Sequence, residues 1–123
     1  MEQDNINKIV KFFFTLQLLV KLYHWNTTSY ARHKATDGFL EKLGDNIDKF
    51  TEVFIGRYKA KPNVSNIKLE PMYLTDDGVC KLLSQARDFL NEMSKTIPDS
   101  DLLNIRDEIL GDINQTLYLM DLK

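Results

Sequence analysis

His24-Trp25-Asn26, then the linker Thr27-Thr28-Ser29-Tyr30, then His33-Lys34-Ala35-Thr36-Asp37, and eleven residues beyond Asp37 the run Asp48-Lys49-Phe50-Thr51-Glu52: this stretch decides the fold. Both histidines of the chain lie in it. At about 100° per helical residue, with His33 at zero, Asp37 falls at about 40°, Asp48 at about 60° and Glu52 at about 100°. One imidazole and three carboxylates thus share a stripe. Leu40, Leu43, Ile47, Phe50 and Phe54 step by three and four along the stripe beside it. The polar set therefore flanks a core-facing surface and need not point into bulk water.

Asp37 and Asp48 are separated by about 16 Å of helix axis. One metal centre cannot draw on both ends of such a helix, but two antiparallel copies can supply it. A two-fold axis between them sets His33 and Asp37 of one chain against Asp48 and Glu52 of the other and makes two equivalent sites. Imidazole nitrogen with carboxylate oxygens suits iron, manganese or zinc. Taken singly, each of these residues is more often a solvated surface group; His24 alone would read as a helix-end histidine facing the last carbonyls, and Trp25 as interface core.

The rest of the chain fits an all-α domain spanning residues 1–123. Its 123 residues suit one domain, and 43% hydrophobic content is enough for a core. Glycine and proline are scarce, with five and three copies, which favours helices. Net charge is −2 with the signs interspersed, so no bulk electrostatic attraction to nucleic acid is expected. The single cysteine, Cys80, cannot pair within the chain, which points to a reducing, cytoplasmic setting. The greasy run from Phe12 to Val20 follows Glu2 and Asp4 and is bracketed by Lys11 and Lys21. It reads neither as a signal sequence nor as a membrane span.

Four helices follow from the periodicity. The first runs from about Asp4 to Asn26, capped by Asp4 or Asn5. One apolar stripe holds Ile6, Ile9, Phe13, Leu16, Val20 and Tyr23; a second, with Phe12, Leu18, Leu19 and Trp25, predicts burial against another subunit. The second helix runs from about Ala31 to Arg57, with Gly56 as its stop. A long connection, about Tyr58 to Leu74, has room for a small local element. The third helix covers about Thr75 to Thr96 and the fourth about Asp101 to Leu122, either side of Pro98. Short, long and short links match a ferritin-like four-helix bundle with one crossover. No Glu-x-x-His occurs anywhere, so the within-bundle di-iron centre is excluded.

These residues resemble the Dps-like branch of the ferritin superfamily, the mini-ferritins, whose first helix ends in His-Trp-Asn and whose second carries His-x-x-x-Asp and then Asp-x-x-x-Glu. More weakly, the chain is similar to short uncharacterised ferritin-like proteins of large DNA viruses. The linker between the histidines is three residues shorter here, and Thr27, Thr28 and Ser29 stand where that family has a glycine. The resemblance implies that His24, His33 and Asp37 of one subunit and Asp48 and Glu52 of its mate hold iron at an inter-subunit di-metal site. It implies oxidation of Fe(II) by peroxide or dioxygen, with Trp25 quenching oxidising equivalents. It also implies a homo-oligomer, from a two-fold dimer up to a dodecamer that stores ferric iron and gives oxidative protection. Neither terminal stretch, Met1-Glu2-Gln3-Asp4 or Asp121-Leu122-Lys123, is a lysine-rich tail, which argues against DNA binding. Two other readings compete. One is a non-catalytic helical module for dimerisation or assembly, for instance in a viral particle, placed in the host cytoplasm or virion. The weaker is a membrane-surface protein inserting its first helix.

Overall fold

In the computed structural model, which describes residues 2–122, the chain forms four α-helices and no strand among the described residues. Met1 and Lys123, the ends of the two stretches read for basic charge, lie outside the described residues. The helices are α1 (Glu2–Asn26), α2 (Tyr30–Tyr58), α3 (Asp76–Glu92) and α4 (Ser100–Met120), with one 3₁₀ turn, Met93–Lys95, after α3.

The helix ends depart from expectation by up to four residues, each for a local reason. Asp4 and Asn5 lie inside α1, where the acidic first turn, Glu2 and Asp4, complements the helix dipole. Ser29 caps α2 by accepting from the Arg32 amide, so the helix starts a residue early. Gly56 does not stop α2. The helix runs on to Tyr58, and Lys59 takes the left-handed turn, with φ 57° and its amide on Ile55 O. Thr75 caps α3 from outside by accepting from Gly78 N. Past Glu92 the helix tightens into the 3₁₀ turn; Ile97, which precedes Pro98, is disfavoured in a further α turn.

Neighbouring helices close a ring. α2 packs against α4 and α1, and α3 packs against α4 and α1. The pairs α2 with α3 and α1 with α4 have no comparable contact, so they sit at opposite corners. The core is built from fully buried side chains of all four helices, among them Phe13, Phe50, Leu83, Leu90, Leu102 and Ile109. Phe13 and Phe50 meet edge-on, with centroids 5.5 Å apart. Burial of each such side chain contributes roughly 1.5–3 kcal/mol.

The link from α2 to α3, residues 59–75, spans the length of α1. It begins beside the start of α1, where Gln3 Nε2 donates to Lys61 O at 2.7 Å and Asn63 N donates to Asn7 Oδ1 at 2.7 Å. It ends where Tyr23, near the other end of α1, donates to Asp76 Oδ1 at 2.6 Å. The only local element in it is a turn at Ser65 and Asn66, closed by Ile67 N on Val64 O. Part of the second apolar stripe of α1 is used inside the chain. Phe12 stacks on Phe89 of α3 at 4.1 Å, and Leu19 is buried. Trp25 stays 65% exposed and Phe14 38%.

Candidate functional site

The short link of residues 27–29 folds the start of α2 back against the end of α1, and the two histidines meet there. His24 Nδ1 lies 2.9 Å from His33 O, and His33 Nδ1 lies 2.9 Å from His24 O. A carbonyl oxygen only accepts, so both Nδ1 atoms carry the proton and donate. In the neutral rings each Nε2 then keeps its lone pair. The rings stack with centroids 3.8 Å apart and planes 16° off parallel. Thr36 Oγ1 lies 3.0 Å from His24 Nδ1 and donates to Arg32 O at 2.9 Å. His24 is 5% exposed and Thr36 is fully buried. Burial, and then the facing His33, push the His24 imidazole below its usual value, which keeps it neutral near pH 7.

Asp37 stands one helical turn beyond His33, its Oδ1 3.9 Å from His24 Nε2, with the carboxylate open to solvent. His24, His33 and Asp37 are therefore brought together. Asp48 and Glu52 are exposed farther along α2 and do not join them within one chain. No group of three or more His, Cys, Asp or Glu among the described residues of a single chain is placed to hold a metal ion. Trp25 follows His24 in sequence but lies on the outer side of α1, where Lys21 Nζ sits 5.5 Å from its ring.

The donor set fits a transition metal in chemistry though not in number. Two imidazoles each keep Nε2 clear of the carbonyl that holds Nδ1, as metal-binding histidines usually do, and one carboxylate sits beside them. A metal held here would need further ligands from outside this group.

Three residues that sequence reasoning missed frame this end of the bundle. Tyr23 donates to Asp76, and Arg32 Nη1 lies 3.7 Å from the other Asp76 oxygen, so the start of α3 is tied to the histidine pair. Tyr23 is pushed up to about 12, by burial first and by Asp76 second. A buried tyrosine wanting a partner was the signal for this tie, but nothing in the pattern says which acid supplies it. The lone cysteine, Cys80, has its thiol pushed up by burial, which disfavours a thiolate nucleophile. Among the described residues no helix is long and apolar enough to cross a membrane.

A four-helix chain whose shortest link clasps two stacked imidazoles is the class that this geometry defines. The model described as "Family of unknown function (DUF5856)" matches residues 24–120, a span that starts at the first of those imidazoles. The chain belongs to that family. It is similar to the "Uncharacterized 14.6 kDa protein in mobD-ri intergenic region" of Enterobacteria phage T4, with 35% identity over 100 residues, 81% of this chain and 75% of that protein. No solved structure matches.

These findings correct the resemblance to the Dps-like mini-ferritins. The family matched is a different one, with a phage relative. The motif that suggested the resemblance has a local cause. His24 and His33 lock the α1–α2 turn by exchanging bonds with each other's carbonyls, so this helix pair has its own use for them, and Asp48 and Glu52 are exposed on the solvated face of α2.

Proposed function

We propose that two copies of this chain pair about a two-fold axis and bind Fe(II) at two equivalent sites. His24, His33 and Asp37 come from one copy, and Asp48 and Glu52 from the other. The observation that carries this is the hydrogen-bond geometry: both Nδ1 atoms are committed to carbonyls, so Nε2 is the nitrogen each ring has left for a ligand role, in a stack with centroids 3.8 Å apart. No group of three or more His, Cys, Asp or Glu is placed to hold a metal within one chain among the described residues, so a second copy is needed to complete each site. Two Fe(II) held near each other would each give one electron to hydrogen peroxide. Its O–O bond breaks, and two hydroxides and two Fe(III) result. Trp25 is a surface donor of electrons if an equivalent strays. The opposite corners of α2 and α3, with a long link between them, support ferritin-like connectivity. The phage relative supports a host-cytoplasm or virion setting.

A second reading has its own observation in favour. The reciprocal histidine bonds fully explain both side chains as a clamp between α1 and α2, as a non-catalytic assembly module would need.

Asparagine separates the two. His24→Asn and His33→Asn keep an N–H near the Nδ1 position and remove Nε2. The metal reading predicts loss of Fe(II) oxidation by stoichiometric peroxide, followed at the ferric absorbance, at a stability cost below about 1 kcal/mol. Wild-type protein no faster than iron alone would leave the assembly module standing.

A further inference from the structure

The outer side of α1 carries a groove of about 460 Å³ lined by Phe14, Leu18, Leu22, Trp25, Leu40 of α2 and Leu69 of the long link. The charges around it are segregated. Along the outward side of α1 the charges flanking Phe14 and Leu18 are Lys11 and Lys21, both exposed. On α2, Asp37, Glu41, Asp45, Asp48 and Glu52 are all exposed and fall within an arc of about 80° at 100° per residue. Lys34 is the one cation of α2 in that arc. No ion pair within the chain reaches Glu41, Asp45, Asp48 or Glu52 among the described residues. A greasy, basic strip thus runs beside an acidic one in which Asp37 alone has a partner, His24, among the described residues.

We propose that this face is a self-association surface whose occupant is a second copy of the chain, docked antiparallel so that the α1 strip of each covers the acidic strip of the other. The inference rests on the metal reading only for the placing of the axis. His24 is level with His33 and Thr36, and Gly44 is level with Gln17. An axis midway between Asp37 and Asp48 therefore passes at the level of Leu18, the middle of the groove. At that axis Lys21 of one copy stands level with Asp45 and Asp48 of the other, and Lys11 level with Asp37.

The test is the mass in solution of chelator-treated protein, by light scattering across a concentration series. Wild type is expected to be a dimer without metal. Phe14→Glu and Trp25→Glu, both at exposed positions, should give monomers with unchanged helical circular dichroism. Lys21→Glu should weaken the dimer about tenfold, since a two-fold axis counts each change twice. Adding Asp45→Lys to Lys21→Glu should restore it, a rescue that a folding defect would not show. A chelator-treated wild type that stays monomeric at every concentration overturns the proposal, as does a dimer indifferent to Trp25→Glu, or a monomer that floats with lipid vesicles through this face. A metal-free dimer that binds no Fe(II) leaves this surface standing and removes the metal reading. A monomer that pairs only when Fe(II) is added does the reverse.

Discussion

Tyr23 ties the end of α1 to the start of α3 through a single hydroxyl on Asp76. Its folded value of about 12 lies above the ordinary value of 10.0. The raised value belongs to a group that is neutral when protonated, so its contribution is complete below about pH 10 and is lost as pH rises through about 12. Stability in urea should therefore fall by on the order of 2 kcal/mol over that range, and Tyr23→Phe should flatten the fall. Asp99 does the same work at the other end. Its carboxylate is 7% exposed, accepts from Arg57 Nε at 2.8 Å and from Tyr58 Oη, and so makes no cap bond to the start of α4. Asp99→Ala strands the Tyr58 hydroxyl and frees Arg57, and should cost about 1–3 kcal/mol in a denaturant titration. At this scale the sequence was half legible. His24, His33 and Asp37 stand out by type and spacing and do come together. Thr36, Tyr23 and Asp76 do not, because their roles depend on which helix end meets which, and periodicity is silent on that.

At the scale of elements the helices were legible because apolar steps of three and four persist through each of them, and burial enforces that pattern. The ends were less so. Gly56 looked like a stop, yet the helix continues because Phe54 is core and Tyr58 reaches Asp99, and those contacts hold the last turn in place. Gly56 is consequently a helix-interior glycine, and a methyl group added there would meet nothing within 4 Å. Gly56→Ala should stabilise by about 0.5–1 kcal/mol, read as a shifted denaturation midpoint with unchanged slope. Lys59 carries the left-handed turn that glycine accepts without penalty. Lys59→Val should cost about 1–2 kcal/mol in the same titration, and Lys59→Gly should not.

For the whole molecule, the all-α class and the count of four helices were legible in the sequence; which helices share a face is read from the structure, where a three-residue return makes α1 and α2 neighbours and a long link lets α3 start beside the end of α1. Family membership was misread because spacing on one helix records only what shares a face, and several demands can place the same residues there. A turn clamp and a metal ligand set both call for histidine at positions 24 and 33. Under the proposal the two demands are compatible, since Nδ1 serves the clamp and Nε2 would be left for a ligand role. The apolar groove and the unpaired acids then share one pivot at Leu18, so pairing and metal binding would use the same axis.

Complementation between two defective chains tests this most directly. One chain carries His24→Asn and His33→Asn, the other Asp48→Ala and Glu52→Ala, and anaerobic Fe(II) binding is measured for each alone and after mixing through a denatured state. Sites shared across a two-fold predict no binding by either chain alone and recovery to about a quarter of the wild-type sites on mixing, because half the dimers are mixed and each rebuilds one intact site of two. Full binding by either variant alone, or no recovery in a mixture that forms dimers, would contradict the shared site.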